Sequence, residues 1–366
     1  MKKILVISNM FPSKDHPTFG IFVKNQVDLL KASGLDIEVV ANSNPDKGKV
    51  NLIKKYLFWF LRYLKYVALN HKKISVVHAH YIFPTGLLAL MSKKVWNIPY
   101  AVTAHGGDLD QMPNKSNFVK KMTTLILKNA NEVIVVGEAL RENVLSLWPV
   151  EENRIHVISM GVDTEKFRKL DLAEFENLVP AEKSPVLLYV GNIIKAKGLV
   201  ELVDAFKIIQ SKYPNAALYL IGSRKDKTFF EQLERQIEQN QLSSIHFLNP
   251  LPQPDIVKWM NAADVLVLPS HIEGFGLVAL EAMASGLPVV GSKVGGLEYL
   301  LADRRGLMFE KGDSKMLAEQ LFAALRIGQD NVFDQEKIQA SVRENSFENI
   351  LLKLQRIYEG MEPSNE

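Results

Sequence analysis

Short apolar runs alternate along the chain with longer stretches in which apolar residues recur every three or four positions. The runs Lys3–Ser8, Leu35–Ala41, Ser75–His78, Pro99–Ala104, Glu132–Val136 and Arg154–Ser159 predict strands. Val186–Val190, Leu218–Ile221, Ile245–Leu248, Val265–Leu268 and a run opening at Val289-Val290 predict a second set. Helical spacing fills the gaps: Ile21–Ala32, 51–73, 86–96, Asn117–Ala130 and Glu138–Leu147 first, then a helix ending near Lys212, Thr228–Gln239, 276–285 and 314–327. Strand and helix in regular alternation is the α/β class. At 366 residues and 47% apolar content, the chain can fill two domains, each with its own core. The first is expected over 1–165 and the second over 185–344. The acidic stretch Asp171–Ser184, closed by Pro185, reads as the linker region. A last apolar helical pattern covers Ser346–Tyr358.

Composition removes several function classes. There is no cysteine, so disulfides and thiolate chemistry are excluded. The start, MKKILVISNM, lacks the apolar length and the cleavage site of a secretion signal. No uncharged apolar stretch reaches the roughly 18 residues of a membrane span. A soluble, cytoplasmic protein is therefore expected. Net charge is only +3, but it is unevenly placed: residues 1–160 hold 21 Lys and Arg against 12 Asp and Glu, while the rest hold 23 against 29. Between Asp46 and Asp108 there is no acidic residue.

Much of that basic charge falls on the 51–73 segment. Lys54, Lys55, Arg62, Lys65, Lys72 and Lys73 are interleaved there with Phe58, Trp59, Phe60, Tyr63 and Tyr66. This composition suits a helix lying on an anionic membrane surface, which would make the protein peripheral on the inner face of the cell membrane. It equally suits a core helix whose solvated face is basic. No helix-turn-helix, RNP-like string or zinc finger accompanies the charge, so nucleic acid is not an expected partner.

The densest chemistry lies in DVLVLPSHIEGFGLVALEAMASGLPVVGSKVGG, from Asp264 to Gly296. A strand closed by Pro269 runs into a loop, then a helix stopped by Gly286 and Pro288, then another strand. Ligands of such units sit at the carboxyl ends of the strands. The first N–H groups of a helix lack internal partners and attract phosphate, and Gly274 and Gly276 let that backbone approach an anion closely. Glu273 and Glu281 are eight positions apart, roughly 12 Å at helical rise. Carboxylates accept hydrogen bonds from sugar hydroxyls and repel phosphate. Two of them flanking an anion site fit a ligand built as sugar, diphosphate and ribose. A glycosidase would instead need both on one bond. Neither a G-x-G-x-x-G after the first strand nor a P-loop is present.

Elsewhere, His105-Gly106-Gly107-Asp108 stands at the carboxyl end of a predicted strand, and Lys195 and Lys197 occupy a loop after another. His78, His80, His105, Asp108 and Asp110 carry no recognised metal spacing, so no metal site is expected.

These strings resemble the GT-B-fold, family 4 retaining glycosyltransferases, of the kind that assemble bacterial polysaccharides. The likeness runs through GIFVKNQ, HAHYIFPTG, the HGxD string at His105, Gly161-Val162-Asp163 with Phe167, the loop Gly191–Gly198 and the EGFGL stretch. It implies two Rossmann-like domains facing across a cleft, with the final helix crossing back so that 345–366 join the first domain. It implies a nucleotide-diphosphate sugar as donor, a UDP-sugar favoured, and a glycan or lipid-linked glycan as acceptor, with no metal and no cofactor. His105 would contact the sugar near its reacting carbon, Lys197 would neutralise the diphosphate, and Glu273 would hold sugar hydroxyls. Gly20, Asn192, Phe275, Gly276 and Leu277 would line the donor, and Glu281 would take the ribose. Asp108-Leu109-Asp110, inside the HGxD string, has the DxD form only by coincidence. Two departures stand out: Asn192 occupies the place of an arginine in the pattern GR-x4-KG, and Phe19-Gly20 replaces a pair of glycines. Asn249-Pro250-Leu251-Pro252 lies where family members read the nucleobase, and Ser292–Gly296 is a loop near the donor. A GT-B epimerase and a non-catalytic nucleotide-sugar binder remain as alternative readings.

Overall fold

The computed structural model describes residues 3–16, 19–44, 49–326 and 332–362, and of residues 49–53 and 172 the backbone alone. Pro17-Thr18 of the first loop, the side chains at 51–53, residue 327 and residues 363–366 lie outside it. The chain forms two compact units, Met1–Gly161 with Phe347–Glu366, and Val162–Ser346.

The first unit is built on a six-stranded parallel sheet. Its strands are β1 (Lys3–Ser8), β2 (Ile37–Ala41), β3 (Ile74–His80), β4 (Tyr100–Ala104), β5 (Glu132–Val135) and β6 (Ile155–Val157), in the order β2-β1-β3-β4-β5-β6. Helices cover both faces, so the central strands are mostly apolar rather than alternating, and every residue of β3 and β4 is buried, Ser75, His78, His80 and Thr103 included. Val6 lies beside Val39 on one side and His78 on the other. The helix Phe347–Met361 buries Ile350, Leu354 and Tyr358 in the core with Ile4, Val6 and Ile134, and this ties the end of the chain to its beginning.

The second unit repeats the plan. Its strands are β7 (Val186–Val190), β8 (Ala217–Ile221), β9 (Ile245–Leu248), β10 (Val265–Leu268), β11 (Val289–Ser292) and β12 (Leu307–Phe309), again all parallel, in the order β12-β11-β10-β7-β8-β9. In both sheets the order reverses beside the first strand, between β1 and β3 and between β7 and β10. Loops leave such a switch point in opposite directions and open a crevice at the strands' carboxyl ends.

The unit boundary falls at Gly161, not at residue 165, and residues 162–184 belong to the second unit. Val162 and Phe167 are buried in the second unit's core, and the Val162 N–H donates to the Asn345 carbonyl. Helices Gln253–Ala262 and Gln335–Glu344 and strand β12 have no counterpart in the pattern reading.

The basic segment is the helix Lys49–Asn70, followed by a 3-10 turn. Trp59, Tyr63 and Val67 are buried, the Trp59 indole donating to the Val40 carbonyl at 3.0 Å and the Tyr63 hydroxyl pairing with Ser92. The opposite arc carries Leu57, Phe58, Leu61 and Leu69 in the open, Phe58 at 70% exposure, between exposed Lys54, Arg62 and Lys65. No described helix is long and apolar enough to cross a membrane.

Candidate functional site

In the second unit the predicted donor residues converge on the switch point. Lys197 lies on the loop after β7 and Glu273 on the loop after β10, the two strands that flank the reversal. Lys197 Nζ lies 2.6 Å from Glu273 Oε2, which also accepts a hydrogen bond from the Ser270 hydroxyl at 3.1 Å. Both side chains of the ion pair are about one-fifth exposed, which strengthens the pair while leaving it accessible. The loops are also locked through their backbones. The His271 N–H donates to the Ala196 carbonyl, and the His271 ring pairs with Glu201 at 3.0 Å. Gly198 adopts a left-handed conformation against β10's exit, where a Cβ would stand 1.9 Å from the Pro269 carbonyl oxygen, so no side chain fits there.

Gly276 caps the helix Leu277–Ala284 at φ 92. The N–H groups of Phe275, Gly276, Leu277 and Val278 donate to no acceptor among the described residues. They form the expected row of free amides at a helix start, where an anion is stabilised by both hydrogen bonds and the helix dipole. The glycines Gly295 and Gly296, expected in a donor-facing loop, open the helix Gly295–Leu301 and press on the backbone of Glu273–Phe275. A Cβ on Gly296 would meet Phe275 Cα at 2.4 Å. Their structural task is to brace the amide-bearing turn.

Glu281 lies one turn into the helix Leu277–Ala284. Its carboxylate makes no hydrogen bond or ion pair among the described residues, and burial pushes its pKa up to about 8. Some solvent exposure remains, yet protein atoms wall the carboxyl in. An acid held this way without a partner is poised to receive hydroxyl donors. Asn192 and Lys195 are both exposed, and Lys195 makes no ion pair among the described residues. The Tyr189 hydroxyl fixes the turn by donating to the Asn192 carbonyl at 2.9 Å.

The first unit assembles a second cluster at the ends of β3 and β4. His105 is enclosed by the rings of Phe22 (centroids 5.1 Å apart) and Tyr81 (4.5 Å), and its Nε2 lies 3.3 Å from His80 Nδ1. Burial, with a smaller push from His78, lowers its pKa to about 3, so the imidazole is neutral at physiological pH and offers a hydrogen bond rather than a charge. His78 is a core residue, held between Tyr358 and Thr103 at 2.7 Å each. Asp108 is buried and accepts from the N–H groups of His105 (2.9 Å) and Ile82 (3.0 Å). It shapes the turn. Gly20 caps the helix Ile21–Ala32 in a left-handed conformation, where a Cβ would lie 2.5 Å from the Met10 carbonyl oxygen. Ser270, His271 and Glu201 in one unit, and Phe22 and Tyr81 in the other, escaped the sequence reading. Position at a strand's end was the one signal available for Ser270 and Tyr81.

The family model described as Glycosyltransferase Family 4 matches residues 20–166, and that described as Glycosyl transferases group 1 matches 172–349. The putative teichuronic acid biosynthesis glycosyltransferase TuaC of Bacillus subtilis is 25% identical, over 87% of this chain and 88% of its own. The capsular polysaccharide biosynthesis glycosyltransferase CapM of Staphylococcus aureus is 27% identical, over 82% and 83%. Among solved structures, Anabaena Alr3699/HepE in complex with UDP and glucose superposes with a TM-score of 0.78 at 19% identity, covering 98% of this chain and all of that one (100%). Two parallel sheets, each with its motif loops at a switch point and each matched by its own half of one enzyme family, identify the chain as a member of the GT-B-fold, family 4-like glycosyltransferases.

Proposed function

We propose that this glycosyltransferase moves a sugar from a nucleotide-diphosphate sugar to a hydroxyl of a glycan or lipid-linked glycan, with retention of anomeric configuration and without a metal. The observation that carries the reading is the juxtaposition of Lys197, Glu273, a row of free helix-start amides and the unpartnered Glu281 at one switch point. The diphosphate lies on the amides of Phe275, Gly276 and Leu277, with Lys197 stabilising the charge that grows as the bond from the anomeric carbon to phosphate oxygen breaks. Glu273 is held by Lys197 and Ser270 through one oxygen, and the other is left for the sugar's hydroxyls. Glu281 takes the ribose hydroxyls, and neutral His105 offers a hydrogen bond to the sugar. The acceptor oxygen bonds to the anomeric carbon on the departing side, and its proton passes to the leaving phosphate. UDP is the favoured nucleotide, in keeping with the HepE complex. TuaC and CapM support polysaccharide assembly as the setting.

The place of action in this reading is the cytoplasmic surface of the membrane. Thirteen large apolar side chains are exposed among the described residues, and all but Ile208, Ile272 and Tyr299 lie in the first, basic unit. The outer arc of Lys49–Asn70 is the densest part of that surface and suits an anionic bilayer.

Thermal stabilisation by a panel of UDP-, GDP- and ADP-sugars, followed by transfer to extracted glycolipid with the product's anomeric configuration read by NMR, tests the proposal. A chelator should leave turnover intact. Stabilisation without transfer to any acceptor would point to a binding protein instead, and an inverted product would reject retention.

A further inference from the structure

The two ring nitrogens of His105 have different surroundings, and the difference decides what this side chain offers to a substrate. Its Nε2 is engaged inside the protein, 3.3 Å from His80 Nδ1. Its Nδ1 makes no hydrogen bond among the described residues and is not closed off from solvent, so of the two it is the nitrogen open to a ligand. The rings of His80 and His105 meet in hydrogen-bonding geometry. Their centroids are 5.5 Å apart, close to the nitrogen–nitrogen distance plus one ring radius at either end, and their planes differ by 26°. Both nitrogens therefore lie nearly on the line joining the ring centres and nearly in both ring planes, where an imidazole carries its N–H or its lone pair.

Burial and the neighbouring imidazoles hold both rings neutral, so each carries a single ring proton. Two arrangements would satisfy the bond. If His105 donates through Nε2, His80 must keep its own proton on Nε2. His80 is 1% exposed, and its Nε2 has no partner among the described residues. That arrangement buries an orphaned N–H, which folded proteins rarely do. If His80 instead donates through Nδ1, its Nε2 is a bare lone pair, the less costly group to leave unpaired. His105 then carries its proton on Nδ1, the open side.

We infer that His80 is a positioning residue: it donates to His105 Nε2 and so fixes His105 as the Nδ1–H tautomer, a donor for an oxygen of the sugar. The pairing stands on the geometry alone, while its use rests on the reading of His105 as a sugar contact. Neighbouring groups hold the ring in place. Phe22 and Tyr81 lie against it, and Tyr81 reaches its position through a left-handed backbone (φ 71) that is uncommon for a bulky residue. The Asp108 carboxylate accepts the His105 backbone N–H at 2.9 Å.

Long-range proton–nitrogen correlation spectra of the full chain, isotopically labelled in its histidine rings, distinguish protonated from bare ring nitrogens. His105→Ala and His80→Asn identify the two signals, with circular dichroism to establish that each variant is folded. Wild type should show both rings protonated on Nδ1 and bare on Nε2. A proton on His105 Nε2 would overturn the assignment whatever the activity. Transfer from UDP-, GDP- and ADP-sugars to extracted glycolipid gives the second readout. His80→Phe keeps a ring and removes the donor, so it should release His105 to a mixture of tautomers and lower kcat/KM about tenfold, the weight of one hydrogen bond. His80→Asn places an amide N–H where Nδ1 stands. It should keep His105 protonated on Nδ1 and hold kcat/KM within about threefold of wild type. Full activity in His80→Phe, or equal losses in the two variants, would reduce His80 to a packing residue and reject the positioning role. Full activity in His105→Ala would reject the sugar contact, and the positioning role with it, even where the wild-type spectrum shows the pairing.

Discussion

Nucleotide-sugar binding should release a proton from Glu281. In the free protein this carboxyl has a pKa near 8, so at pH 7 about nine-tenths of molecules carry it protonated. Ribose hydroxyls that donate to Glu281 stabilise the ionised form and return its pKa toward the ordinary 4.5. Binding at pH 7 should then expel close to one proton, and stripping it costs about 1.4 kcal/mol. Affinity should rise about tenfold per pH unit up to pH 8 and level off above. Calorimetry with UDP-glucose in buffers of different ionisation enthalpy counts the protons directly, and using the sugar ester avoids the terminal phosphate ionisation of UDP near pH 6. Glu281→Gln preserves the shape and removes the titration. It should bind with no linked proton and more weakly by about 1.5–3 kcal/mol at pH 8.5, where wild type is ionised. The same group bears on stability. Its folded pKa is above its unfolded one, so the folded state holds the extra proton between about pH 4.5 and 8, and stability falls with pH across that window. The Gln variant should lack that slope, by up to about 1.4 kcal/mol per pH unit in denaturant titrations. Proton release unchanged in Glu281→Gln, or an affinity that is flat from pH 6 to 8, would refute the assignment.

Three further outcomes follow from the geometry. Lys197→Ala should lower kcat/KM by two to three orders of magnitude, since a cation aimed at a developing anion contributes roughly 3–4 kcal/mol, and steady-state kinetics measures it; Asn192→Arg, restoring the family's charge, should be neutral or beneficial. Gly296→Ala would put a methyl 2.4 Å from Phe275 Cα and should cut nucleotide-sugar affinity at least tenfold by calorimetry, whereas Gly107→Ala, with nothing within 4 Å, should be silent in stability. Asp108→Ala strands the buried N–H groups of His105 and Ile82 and should cost roughly 2–5 kcal/mol in urea titration of the first unit, each lost acceptor being worth about 1–3 kcal/mol.

Local pattern made most of the fold legible. Strands β1, β7 and β10 fall where the apolar runs put them, because strands covered on both faces are dominated by apolar side chains. The elements that escaped are those with a weak local signature. Gln253–Ala262 follows a proline, Gln335–Glu344 buries only Ile338 and Ser341, and β12 is three residues long. The two glycines that open Gly295–Leu301 imitate a loop. The motif residues, too, were readable one by one, since their chemistry lies in their side chains.

Their relationships were not. Lys197 meets Glu273 across 76 positions, and His80 meets His105 across 25. Nothing local encodes either contact, which follows from which strands lie side by side. Glu281's raised pKa and the absence of a partner for it depend on the atoms packed around it, because desolvation is a property of the fold. The helix Lys49–Asn70 makes the same point: the sequence by itself did not say which of its apolar residues enter the core, and packing did. Its 3.6-residue period turns Trp59, Tyr63 and Val67 into the core while Leu57, Phe58 and Leu61 stay outside with the basic residues, and only the position of the sheet decided which arc was which.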